Sequence, residues 1–356
     1  MIWLFLLCLV VITALLQRSW ADLSLKQLTY TMTWEPALAE PEEPITLTSR
    51  LENRGWLPVM YALLSENLPA GAKVLESGEW QREHLFPHAM GTSLRSATYL
   101  LPRRSRTGSV RIALPRRGWY PLGGATLSAG DFLGLKESTA YLNHTDGVVV
   151  IPRRAETPEL LQALGGFLGD LSVRRFILED PILTTGFREY TGREPMKAIS
   201  WTQSARAGQL MVKQYDHTSE VRITVLLNTE GGCGEELEQC FALTRTVCET
   251  LESRGIPYDF RTNGELPGTA GLLTFLPQGL GRQHLTTILY SLGRAQYRSD
   301  ASLEALADRC VSHSRSQQGY ILITPPLTAE REPCLRRLRE AAEGSLLILA
   351  GEEGAA

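Results

Sequence analysis

Three groups of residues in this 356-residue chain combine side chains that could do chemistry. The first is Asn228-Thr229-Glu230, followed directly by Gly231-Gly232-Cys233-Gly234. It lies between an apolar run, Val221–Leu227, and an amphipathic one, so it sits where a strand hands over to a helix. Carboxamide, hydroxyl and carboxylate oxygens there could ligate a hard cation. A glycine-rich turn opening a helix could cradle a phosphate, and Cys233 at the same helix start could be an activated thiol. The second group is Arg174-Arg175, Phe187-Arg188-Glu189-Tyr190, Gly192-Arg193-Glu194, Ile199-Ser200-Trp201, Ser204-Ala205-Arg206 and Gly208-Gln209-Leu210. Exposed, this mixture of arginines, aromatics and acids suits partner recognition; buried, it would be an ion-pair and stacking network. The third is an arginine-only stretch: no acid stands between Glu83 and Asp131, while Arg95, Arg103, Arg104, Arg106, Arg111, Arg116 and Arg117 do. It reads either as a basic face for anionic lipid or an acidic partner, or as a solvated sheet face with edge-protecting arginines.

Several chemistries are excluded by inspection. The chain has no G-x-x-x-x-G-K-[ST], no G-x-S-x-G and no H-E-x-x-H. In the glycine-rich turn Leu237 occupies the place of the third glycine of a dinucleotide fingerprint. No partner base for Cys233 is visible, and Cys240 and Cys248 read as core thiols. His84 and His88 are four apart, but Pro87 between them disfavours the helix that would align them on a metal. Asn143-His144-Thr145 matches a glycosylation sequon that needs a secretory context. With a net charge of −3, nucleic-acid binding is disfavoured. No cofactor is expected.

The elements that must position these residues follow from periodicity. Length gives a prior of two or three domains, and 43% hydrophobic residues can fill a core. From Leu28 to Pro152 the signals are strands and turns: Ile45, Leu47, Ser49 and Leu51 alternate with polar residues, as do Val110, Ile112 and Leu114. This predicts an antiparallel β-sandwich over 22–155. A joining segment follows over 156–220. Over 221–356 strands at Val221–Leu227, Tyr258–Phe260, Leu272–Leu276, Tyr320–Thr324 and Leu346–Leu349 alternate with helical patterns at Glu235–Arg254, His284–Leu292, Leu303–Val311 and Cys334–Ala342. That rhythm predicts a parallel, doubly wound sheet, whose ligand positions are the carboxyl ends of its strands. These are Asn228-Thr229-Glu230, Arg261-Thr262-Asn263 and Thr324-Pro325.

Met1–Leu16 is almost continuously apolar and Trp3 and Trp20 bracket it. Sixteen helical residues cover roughly 24 Å, close to the minimum for a bilayer core of about 30 Å. The leading expectation is a transmembrane anchor over 1–21. A signal peptide cleaved near Ser19-Trp20-Ala21 and a buried helix are the alternatives. Arg18 and Lys26 follow the run, which would keep the body cytoplasmic. Six scattered cysteines without a C-x-x-C fit a reducing compartment.

The run GFREYTGREPMKAISWTQSARAGQLMVKQYD closely resembles the signature of the bacterial domain-of-unknown-function 58 family, and RRGWYPLGGATLSAGDFLGL supports the likeness. The resemblance covers nearly the whole chain. It implies an α+β multidomain protein with a membrane anchor, an immunoglobulin-like β region and a von Willebrand factor type A-like domain. It also implies assembly work on other proteins, often with a MoxR-type AAA+ ATPase, and no enzymatic activity. The usual Gly-Asp of the signature is Gly192-Arg193 here. The metal motif of a von Willebrand A domain is degraded as well. Asn228 stands for its Asp, Glu230 and Gly232 for its serines, and Thr324-Pro325-Pro326 where a second Asp is expected. The resulting expectation is a membrane-anchored, non-catalytic scaffold binding partners through Arg188, Glu189, Tyr190, Trp201, Ser204 and Arg206, with no metal at Asn228, Thr229, Glu230, Gly232 and Thr324. The alternative is an enzyme with a redox or hydrolytic centre near Cys233 and Glu230.

Overall fold

The computed structural model describes residues 20–78, 84–88, 91–121, 123–131, 136–143, 147–155, 157–177, 184–192, 194–215, 222–268, 271–312, 318–326, 331–342 and 345–351. The chain divides into two compact units between Arg153 and Arg154, with residues 292–294 grouped with the first.

In the first unit, β1 (Leu28–Glu35), β3 (Pro44–Asn53), β8 (Ser105–Ala113) and β5 (Lys73–Ser77) form one sheet in that order. A second sheet has the order β11 (Glu137–Leu142), β10 (Ala125–Gly130), β4 (Val59–Asn67), β7 (Gly91–Leu100) and β6 (His84–His88). All neighbours in both sheets are antiparallel. β2 (Leu38–Ala39), β12 (Gly147–Val150) and β9 (Gly118–Pro121) make a small third sheet. The alternation at Ile45–Leu51 is the inward row of β3: Ile45, Leu47, Ser49 and Leu51 are buried and the residues between them are not. The two large sheets close on each other where Leu51 meets Val59, Ala62, Leu64, Leu100, Ala125 and Leu127. Each leucine or valine among them, fully buried, contributes about 1.5–3 kcal/mol. His84 and His88 lie on a strand, so the helical alignment a shared metal would need is absent.

One polar group interrupts this core. Glu66 stands in the inward row of β4, fully buried, and accepts hydrogen bonds from Tyr30 Oη of β1 at 2.5 Å and from Ser49 Oγ of β3. A buried carboxylate is tolerable only when it is paired in this way. The strands of one sheet thus grip a residue of the other, and burial together with the Glu66 charge pushes the Tyr30 phenol far above its usual range.

The anchor expected over 1–21 is corrected: no helix among the described residues is long and apolar enough to cross a membrane. The expected single-pass placement in a cell membrane is likewise not supported among the described residues. Residues 1–19 lie outside the described residues, as do Arg193 and His144-Thr145 of the sequon. Residues 20–27 are helical (α1) and belong to the β unit. Leu25 packs on the Leu51–Leu127 core, and Asp22 bonds Ser138 and pairs with Lys136 Nζ at 3.0 Å.

In the second unit, α2 (Pro158–Ile177) leads to a two-stranded ribbon of β13 (Thr184–Glu189) and β14 (Met211–Tyr215), with α3 (Trp201–Ala207) between them in sequence. Next come β15 (Arg222–Leu227), α4 (Gly234–Ser253), β16 (Tyr258–Thr262), β17 (Pro267–Gly268), β18 (Gly271–Leu272), β19 (Phe275–Gly279), α5 (Arg282–Arg294), α6 (Leu303–Val311), β20 (Gln318–Thr324), α7 (Glu332–Ala341) and β21 (Leu346–Ala350). The main sheet has the order β19-β16-β15-β20-β21. Leu226 and Leu322 meet Leu306, Cys310, Leu335 and Leu338 of α6 and α7 in its core. The doubly wound, von Willebrand A-like domain of the sequence reading is corrected. The sheet is mixed, because β19 runs antiparallel to β16 at its edge. The short β17–β18 hairpin occupies the connection from β16 to β19, where a parallel return would need a crossover of a dozen or more residues, usually helical. The molecule as a whole is β-rich, with 21 strands in six sheets among the described residues.

Removing the carboxylate of Glu66 takes away the acceptor that Tyr30 and Ser49 share. Glu66→Ala is expected to cost about 2–4 kcal/mol and Glu66→Gln clearly less, because a carboxamide oxygen still accepts. Urea denaturation of the full chain measures both. A loss below about 1 kcal/mol for Glu66→Ala would show that the tie between the sheets is not structural.

Candidate functional site

The carboxyl ends of β15, β16 and β20 bring the first group of sequence candidates together. Asn228 is fully buried. Its Nδ2 donates to Thr324 Oγ1 at 2.9 Å, and its Oδ1 accepts from Asn263 Nδ2 at 2.6 Å and from the Glu230 amide at 3.1 Å. Asn263 Oδ1 accepts the Thr229 amide at 2.9 Å, and Asn263 Nδ2 also reaches the Ala301 carbonyl at 3.1 Å. Glu230 Oε2 accepts the amide of Leu303, the first residue of α6, at 2.7 Å, which places a carboxylate at a helix N-terminus where it is favoured. Arg331 donates to the Glu230 carbonyl at 3.1 Å. These oxygens and nitrogens are used on one another. A divalent ion would have to break several buried hydrogen bonds to find its ligands.

The glycines have a steric explanation. Gly231 has φ of 77°, and a Cβ on it would lie 2.7 Å from the Arg331 guanidinium. A Cβ on Gly232 would lie 2.6 Å from Pro325. The turn is narrow because two elements press on it. Cys233 is exposed and opens α4, with its amide donating to Glu236 Oε2 at 2.7 Å. That bond holds the Glu236 carboxyl below its usual range. The other described cysteines are buried, and burial pushes Cys240 up to about 12 and Cys310 up to about 11. They are packing thiols at neutral pH.

The second group forms a separate small module. The β13–β14 ribbon pairs Arg188 with Val212 and Glu189 with Met211, and Ile199 bridges to Val212 on its other side. Ile199, Ser200, Ser204 and Val212 are its buried part. Ser204 Oγ, the buried member of the predicted set, donates to the Ser200 carbonyl and accepts the Met211 amide, both at 2.8 Å, so it fastens α3 to β14. Arg188 pairs with Glu194 at 2.5 Å, and Glu189 Oε1 accepts from Gln209 at 2.7 Å. Glu194 also accepts the Thr191 hydroxyl at 2.8 Å and the Thr191 amide at 3.1 Å. Gly192, with φ of 86°, turns the chain there.

Arg188, Glu189, Trp201 and Arg206 are exposed and Tyr190 is half-buried, so they do not form a buried network. Trp201 is 61% and Met196 68% accessible, and Phe187 and Leu210 are exposed with them. Met196 was not singled out from the sequence, because a lone apolar residue in a polar segment carries no periodic signal. In the arginine-only stretch, Arg103 stacks on Trp56 at 3.9 Å, Arg106 donates to Thr98 at 2.8 Å and Arg111 approaches Glu76 at 3.5 Å, as a solvated sheet face does.

No protein-family model matches the chain. The uncharacterized protein YeaD of Bacillus subtilis is 21% identical over 312 residues, which cover 86% of this chain and 71% of YeaD. Among solved structures, the CARDB domain of a Pyrococcus furiosus protein matches 35% of this chain and 87% of that chain at 12% identity and a TM-score of 0.22. A non-cellulosomal cohesin of Archaeoglobus fulgidus matches 34% of this chain and 84% of its own at 15% identity and a TM-score of 0.23. Likeness at that level carries no inference about what the chain does.

The Thr191 hydroxyl, with Arg188 behind it, holds the Glu194 carboxyl down to about 2 from an ordinary 4.5. A depressed folded-state value means that the turn's stabilisation is complete above the ordinary value and fades as pH falls towards 2. Carboxyl-carbon NMR titration should show Glu194 titrating well below the exposed glutamates, and Glu194→Gln should erase the acid-induced loosening of the Thr191 amide. Titration in the ordinary range would contradict the assigned contacts.

Proposed function

We propose that this chain is a non-catalytic scaffold or assembly factor that binds protein partners through the β13–α3–β14 module, with a MoxR-type AAA+ ATPase as the partner that the family resemblance implies. The observation that carries the reading is the exposure of Phe187, Met196, Trp201 and Leu210 on a module whose polar side chains hold its own backbone in place. Large apolar side chains standing out of a fixed frame are what hot spots are made of, because little ordering entropy is lost on binding. Lys197, Arg206 and Lys213 are exposed around them. The partner segment that fits is acidic, with an apolar anchor.

An enzymatic centre at Cys233 and Glu230 has less support. The Glu230 carboxylate is occupied at the start of α6, and the carboxylate beside Cys233, that of Glu236, is engaged as the cap of α4. The partner reading is tested by titrating the purified full chain into a MoxR-type AAA+ ATPase from the same genome. Trp201→Ala is expected to weaken the complex by about thirtyfold, as removal of a hot-spot side chain worth about 2 kcal/mol does. Arg206→Ala should weaken it less, and both variants should keep the wild-type melting temperature because neither side chain is packed. Absence of a complex, or a complex indifferent to both substitutions, would overturn the reading.

A further inference from the structure

In the first unit two turns are locked side by side: 54–58, between β3 and β4, and 101–104, between β7 and β8. Asn53, fully buried, holds both. Its Nδ2 donates to the Leu57 carbonyl at 2.8 Å and to the Leu100 and Leu101 carbonyls at 3.3 Å. Its Oδ1 accepts the Gly55 amide at 3.0 Å, and its own amide donates to the Arg104 carbonyl at 2.9 Å. Gln27 closes the first turn as well: its carbonyl accepts the Arg54 amide at 3.0 Å and its Oε1 the Leu57 amide at 3.2 Å. The backbone of both turns is fixed.

The side chains on this fixed backbone stand in solvent. Trp56 is 75% and Leu101 54% accessible, and Arg103 and Arg104 are exposed in the same pair of turns. Arg103 has φ of 56°, a left-handed backbone that a non-glycine residue seldom adopts, and its guanidinium carbon lies 3.9 Å from the centre of the Trp56 ring. The stack uses the flat face of the guanidinium. Its N–H donors lie in the plane of the group and remain directed away from the ring, where a carboxylate can take them. A stacked arginine on a fixed turn loses little further freedom on binding, and Trp and Arg are the side chains that carry most binding energy. The two turns contain no acid. Glu52, next to them in sequence, lies 4.0 Å from Arg50 and 3.7 Å from Arg54.

We propose that this pair of turns is a docking surface for an acidic peptide segment whose carboxylates flank an apolar side chain, with Arg103 and Arg104 on the carboxylates and Trp56 and Leu101 against the apolar group. The basic field is short: Glu52 lies against Arg50 and Arg54, and Arg106 donates to Thr98. Two arginines beside two apolar side chains match alternating charge and apolar contact better than the unbroken charge of a nucleic-acid backbone or an anionic lipid surface. The surface belongs to the first unit, and its test does not use the β13–α3–β14 module, so either reading can fail without the other.

The full chain is titrated by calorimetry and by the indole NMR resonance of Trp56 with an N-acetylated Glu-Glu-Phe-Glu-Glu amide. The same peptide with glutamines, oligothymidylate, and phosphatidylcholine vesicles with and without phosphatidylserine are the comparisons. The acidic peptide should bind saturably and move the Trp56 resonance, and the glutamine peptide should bind far more weakly. Arg103→Gly should weaken the acidic peptide by about tenfold or more, the worth of a charge-assisted hydrogen bond. Because glycine takes a left-handed backbone freely, the same variant should keep or raise the melting temperature. Trp56→Ala should weaken the peptide by about tenfold and leave the melting temperature unchanged, since the ring is exposed. No saturable binding, equal binding of the glutamine peptide, or indifference to both substitutions in folded protein would overturn the proposal. So would a melting temperature lowered by Arg103→Gly, which would assign the stack to the fold. Tighter binding of oligothymidylate or of phosphatidylserine vesicles that these substitutions weaken would overturn it in favour of another partner.

Discussion

The carboxamide of Asn228 ties together the ends of three parallel strands, and the organisation of the second unit follows from that tie. One side chain reaches Thr324 on β20 and Asn263 beyond β16 while sitting at the end of β15. Asn263 then fixes the approach to α6 through the backbone of Asp300 and Ala301, and Glu230 fixes the first turn of α6. A buried carboxamide has to be satisfied or it destabilises the fold. Here satisfying it also positions α6. The edge where open α/β sheets generally bind ligands is closed by its own residues.

The same physics runs through the other polar groups. Glu66 joins two sheets, Ser204 joins a helix to a strand, and Glu194 closes a turn. In each case a polar side chain serves the fold, Glu66 through two side-chain hydroxyls and Ser204 and Glu194 through backbone groups as well. Trp201 and Met196 are the converse, since they look like core residues and stand in solvent.

Local patterning was legible where one face of an element is buried. The inward row of β3 and the amphipathic helices α4 and α6 follow from period alone, because a one-residue slip would turn their apolar residues to water. The antiparallel edge strand was not legible: the apolar residues at Leu272–Leu276 read equally well in either direction, and only the β17–β18 hairpin before β19 sets the sense. The module at 184–215 was missed as structure because it buries little beyond Ile199, Ser200, Ser204 and Val212. The carboxyl-edge residues were found by rule, but their role was not, because pairing of Asn228 with Asn263 and Thr324 depends on strand order.

The central claim is that the Asn228–Thr324–Asn263 cluster is a structural knot and not a vacant binding edge. A double-mutant cycle on the full chain, with Asn228→Ala, Thr324→Val and both together, followed by urea denaturation, tests it most directly. The account predicts that each single substitution is destabilising and that the double is less so than their sum, with a coupling of about 1–2 kcal/mol. Additive effects, or single substitutions that leave stability unchanged, would contradict it.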